Sequence, residues 1–133
     1  MRVFLICVYE TLTEVGLPVI IEGNFVYGDM KKVDEAGVIK ALADKYAYET
    51  LTFKFSGDTR ILYERYIERN KSPERGDANR DFTEPSYDDI ANYCRKLSGF
   101  NIGGKIIKID TTDFAKVNFD AHIKKARLFY NSN

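Results

Sequence analysis

Apolar and polar positions along this chain change period several times, and each change marks an element. Residues 3–15 place Phe4, Val8, Leu12 and Val15 at helical spacing, with Leu5 and Cys7 widening the stripe, which predicts a helix stopped by Gly16. Leu17-Pro18-Val19-Ile20-Ile21-Glu22-Gly23-Asn24-Phe25 follows as an apolar run that ends in a carboxylate, a glycine and an amide. A run of this kind suits a strand covered on both faces, as in a parallel sheet between helices. Ligands of such sheets bind beyond the carboxyl ends of the strands, where Glu22, Gly23 and Asn24 fall. The same three residues equally suit an ordinary turn.

Further along, Ile39, Leu42, Ala43 and Tyr46 form a helical stripe after Asp34, a candidate N-cap. Residues 50–56 (TLTFKFS) alternate polar and apolar, as a strand with one dry face does. Asp58 caps a predicted helix over 59–69 that turns Ile61, Leu62 and Tyr66 inward and shows Arg60, Arg65 and Arg69. Residues 70–86 have no period and carry Pro73, Gly76 and Pro85, so they form a loop that is either functional or disordered. Ser86 and Asp89 have capping-box spacing before a helix with Ile90, Cys94 and Leu97. Residues 105–110 (KIIKID) read as a third strand. Asn118 or Asp120 opens a last helix with Phe119, Ile123, Ala126 and Tyr130 inward.

Strands separated by helices imply parallel crossovers. The expected architecture is a three-layer α/β fold in which helices flank a small parallel sheet of about three strands, within one domain spanning 1–133.

Composition narrows the function classes. Twenty basic and twenty acidic residues cancel, so nothing global points to nucleic acid or an anionic membrane. Cys7 and Cys94 lie far apart in apolar helical patterns, fitting buried thiols in a reducing cytosol; with the single histidine, His122, they form no metal motif. The apolar start, residues 1–8, is too short to span a bilayer and lacks a small-residue cleavage site. A cytoplasmic protein with no membrane partner is expected.

Two patterns carry candidate chemistry. Gly99 to Lys105 fits the Gly-x4-Gly-Lys part of a phosphate-binding loop, but Ile106 replaces the Ser or Thr that would hold magnesium. A strand also follows where a helix should begin, so the stretch reads as a helix-to-strand turn. Arg60, Arg65, Arg69, Arg75 and Arg80 form the second pattern. Guanidinium forks suit phosphate oxygens, and Arg65 and Arg69 share a helical face. Glu64 and Glu68 beside them fit a solvated, ion-paired face as well.

In order and spacing, IIEGNF, ALADKY, LTFKFSGDTRILYERYIERN and FNIGGKIIKIDTTDFAKVNFD resemble the later part of small P-loop kinase-like proteins. These are the ATP-dependent phosphotransferases that group with zeta toxins, polynucleotide kinases and related small AAA-type kinases. The resemblance covers roughly residues 5–126 and is most specific from Gly104 to Phe114. It implies an incomplete P-loop NTPase-like core with ATP and Mg2+ as cofactors. Glu22 would be the catalytic base or metal contact, and Asn24 would lie at the phosphoryl acceptor. Arg65, Arg69 and Arg75 would bind phosphates, with 70–86 as the lid-like loop. Asp110, Thr111 and Thr112 would lie near the nucleotide base. Such parts are coherent, because phosphoryl transfer is mostly positioning and charge neutralisation.

The departure is equally definite. The family's first strand, glycine-rich loop with Lys and Ser/Thr, and first helix have no counterpart here, and Pro73 to Asp77 lacks the histidine-bearing lid motif. The absent strand lies, in the family, between those matching 17–22 and 50–56. Either these two strands pair directly, or a second copy or a further segment completes the sheet. The expected function is that of a phosphotransferase remnant inactive by itself. The alternatives are a non-catalytic interaction module using the inherited cleft or sheet edge, and a flavodoxin-like or other small α/β fold with a different ligand.

Overall fold

A computed structural model describes residues 19–23, 35–73 and 84–132. The expected helix over 3–15, its residue Cys7, the cap Asp34, the site residues Asn24 and Arg75, Arg80 and most of the lid-like loop lie outside the described residues.

Among the described residues, four α-helices and two strands follow in the order α1 (Glu35–Lys45), β1 (Leu51–Ser56), α2 (Thr59–Lys71), α3 (Tyr87–Ser98), β2 (Lys105–Asp110) and α4 (Phe119–Asn131). A 3-10 turn, Phe114–Lys116, precedes α4. β1 and β2 pair in parallel, from Leu51 opposite Lys105 to Ser56 opposite Asp110. A parallel pair needs a long crossover, which α2 and α3 supply. The fold is therefore α/β, a small parallel sheet flanked by helices.

Two strands stand among the described residues where three were expected. Residues 19–22 adopt no strand. Val19 and Ile21 pack against α1, whereas Ile20 between them is 98% exposed. The apolar run was read as covered on both faces; one face is open, and the hydrogen-bonded neighbour of β1 is β2 instead.

The main core lies where the periodicity put it. Ala36, Ile39 and Leu42 of α1 close on Phe100, with Tyr46, Tyr48 and Ile102 around them. Between α2 and α3, the rings of Tyr63 and Tyr87 meet edge to face at 5.7 Å. Lys54 reaches off β1 to donate to the carbonyls of Ser98 and Phe100, capping the end of α3. Desolvation, and then the neighbouring ammonium of Lys108, lowers the pKa of Lys54.

α4 departs from the expected packing. His122 sets its ring edge-on to Phe53 at 6.3 Å. Phe119, Ile123 and Tyr130, read as inward, are exposed, and so is Phe55 on the supposedly dry face of β1. The stripe exists, but α4 rests on the sheet by one flank of it.

Two turns hold the ends of the strands. Tyr48 N–H donates to Ala43 O at 2.9 Å and Ala47 N–H to Asp44 O at 3.3 Å, a Schellman closure of α1. Its left-handed position is occupied by Ala47 at φ 55°. Before β2, Gly104 sits at φ 66°, and a Cβ there would collide with the hydroxyl and carbonyl of Thr50. Opposite outcomes are expected at these two positions. Ala47→Gly removes left-handed strain and should stabilise the chain by about 1 kcal/mol. Gly104→Ala should destabilise it by more than about 1 kcal/mol, because collision adds to the same strain. Urea midpoints measured at unchanged slope check both.

Candidate site at the carboxyl edge of the sheet

Both strands end at one edge, and the residues that follow them interlock. After β1 the chain turns through Gly57 into α2, whose N-cap Asp58 accepts from Arg60 N–H at 2.9 Å and Ile61 N–H at 3.1 Å. After β2 it turns through Thr111 and Thr112. Thr111, nearly fully buried, donates its N–H and its hydroxyl to Ser56 O, at 2.6 and 2.8 Å. Gly57 lies so close that a Cβ would stand 3.2 Å from Thr112 N.

The Thr112 hydroxyl joins the two turns. It accepts from Asp58 N–H at 2.7 Å and donates to Asp110 Oδ1 at 2.6 Å. The same carboxylate oxygen accepts Thr112 N–H at 2.9 Å, an Asx turn. Bonds from the hydroxyl, then from the backbone N–H, hold the Asp110 carboxyl below its ordinary pKa. Its charge is thus spent on fixing the turn.

Arg65 closes the edge from α2. One terminal nitrogen donates to Thr111 O at 2.5 Å and the other to Thr112 O at 2.8 Å. The guanidinium carbon also stands 5.5 Å from the ring centre of Phe114. Arg69, one turn on, is exposed. The structure thus brings Arg65, Asp110, Thr111 and Thr112 together. It leaves Glu22 exposed, in the segment beside α1.

Sequence reasoning missed Phe114 and the bridging role of the Thr112 hydroxyl. The Asp-Thr-Thr spacing carries an Asx-turn signal, whereas the ring contact needs the fold. The Gly99–Lys105 stretch is the helix-to-strand turn it was read as. A cleft of about 220 Å3 at the opposite, amino edge of the sheet is lined by Lys40, Asp44, Tyr48, Glu49, Gly103 and Lys105, the last two from that same turn.

Among the described residues no group of three or more His, Cys, Asp or Glu side chains could hold a metal ion, and no helix is long and apolar enough to cross a membrane. No protein-family model matches this chain, and searches of curated proteins and of solved structures give no match either.

Arg65→Ala strips two carbonyls of a charged donor and should destabilise the fold by about 1.5–3 kcal/mol, with Arg65→Lys recovering part of it. Thr112→Val should let the Asp110 pKa rise toward the ordinary carboxylate value, followed by carbonyl chemical shifts through a pH titration. The sign follows from the shift. Because the folded pKa is depressed, the contribution of Asp110 is present above the unfolded pKa and is lost as pH falls through the folded one.

Proposed function

We propose that the chain carries the acceptor and lid side of an ATP-dependent phosphotransferase of the small-molecule or nucleoside kinase kind. One observation carries the reading. Arg65 on the lid helix and the segment Thr111-Thr112, implied to lie near the nucleotide, are in direct contact although 46 positions apart in sequence. They meet at the carboxyl edge of a parallel sheet, the usual ligand edge of such folds. In this reading exposed Arg69, with Arg75, meets the phosphates, Glu22 and Asn24 serve the acceptor, and Mg2+ arrives with ATP.

The 133 residues hold no complete Gly-x4-Gly-Lys-Ser/Thr, whose backbone amides and lysine would supply most of the affinity for the phosphates. Weak ATP–Mg binding and no useful phosphoryl transfer are therefore expected from these residues alone. Calorimetric titration of wild type, Arg69→Ala and Arg65→Ala tests this. Arg69→Ala should weaken binding several-fold without loss of fold. Efficient transfer from ATP to nucleosides by the purified chain, or binding indifferent to Arg69, would sink the reading.

A second reading, an interaction module that uses the open face and edge of the sheet, is favoured by the exposed side chains on and around β1 and α4. A second copy or a further segment completing the sheet would cover Phe55 and Ile123. Light scattering over a hundredfold concentration range decides between self-association and a monomer.

A further inference from the structure

We propose that Phe114 is a stacking platform for the planar ring of a nucleobase, a ligand-binding contact that rests on the phosphotransferase reading above. Phe114 follows the Asp110–Asp113 turn directly and is 55% exposed. One side of its ring faces the Arg65 guanidinium. That guanidinium is itself fixed by the carbonyls of Thr111 and Thr112, so the support behind the ring does not wander. Phe119 leans on the ring at 5.8 Å between centres, with the planes 32° apart. The ring is held before any ligand arrives, which removes an ordering cost from binding.

The surroundings favour a small planar ligand. Asp113 and Lys116 pair at 3.0 Å beside the ring, and Thr112 lies on the chain just before it. Arg65 already gives one N–H from each terminal nitrogen to a carbonyl, so this corner offers a flat surface beside a partly engaged charge. Stacking is tolerant of base identity, since every base has a π-face, and purines and pyrimidines should both bind.

The chain contains no tryptophan, so Phe114→Trp creates a single tryptophan reporter at the platform, excited selectively beyond the tyrosine band. Titrating this variant with adenosine should quench its emission saturably, cytidine should quench less strongly, and tripolyphosphate should leave it unchanged. In ligand-observed NMR, Phe114→Ala should weaken adenosine binding by about tenfold relative to wild type. Adenosine that binds wild type and Phe114→Ala equally, or does not bind wild type at all, overturns the platform. ATP–Mg binding that depends on Arg69 but ignores Phe114→Ala also overturns it while leaving the phosphotransferase reading intact. Adenosine binding that depends on Phe114, with no gain from added phosphates, supports the platform and removes the phosphotransferase reading.

Discussion

The parallel pairing of β1 with β2 is the constraint on which the described structure depends, and it is secured mainly at its ends. Two six-residue strands are a marginal sheet by themselves. At the amino end, Lys105 N–H donates to Thr50 O at 2.9 Å and Thr50 Oγ1 donates to Gly103 O at 3.1 Å. At the carboxyl end, Thr111 places two donors on Ser56 O, and the Thr112 hydroxyl ties in the start of α2. Helix placement follows from these closures. α2 must begin where β1 stops, and Lys54 draws the end of α3 onto the same strand.

Much of this was legible in the sequence because the signals are local. Asp58 and the Ser86–Asp89 box act within three residues of themselves and cap the helices they were read as capping, and of the two residues offered for the start of α4 it is Asn118 that caps it. The α1 stripe was equally readable: a helix with Ile39, Leu42 and Ala43 on one side has one sensible way to face. The two glycines before β2 were read as a helix-to-strand turn, and both adopt positive φ there.

What failed was non-local. Val19-Ile20-Ile21 and Phe119, Ile123 and Tyr130 have the right composition for burial, yet composition does not say which neighbour covers which side. One flank of α4 lies on Phe53 through His122, and Ala126 is half-buried as expected, but Phe119, Ile123 and Tyr130 of its apolar stripe meet solvent. Phe55 shows the same thing from the sheet, exposed two residues beyond half-buried Phe53. Burial is a property of pairs of elements, and periodicity reports only one member of each pair. The contact between Arg65 and Thr111 was hidden for the same reason.

Arg65 shows how a magnitude decides between two roles that a sequence leaves open. Turning its guanidinium toward a phosphate would strip Thr111 O and Thr112 O of their donors. Leaving a partly buried carbonyl unsatisfied costs about 1–3 kcal/mol, and here there are two. A single solvent-exposed ion pair returns about 0–1 kcal/mol. Keeping the clamp is therefore favoured over turning away from it, and a phosphate of the proposed kind would meet Arg65 only through the N–H groups that the clamp leaves over. Arg69 is exposed on the same helical face, one turn further along α2. Burial separates the two: half-buried Arg65 builds the edge, and Arg69 faces solvent.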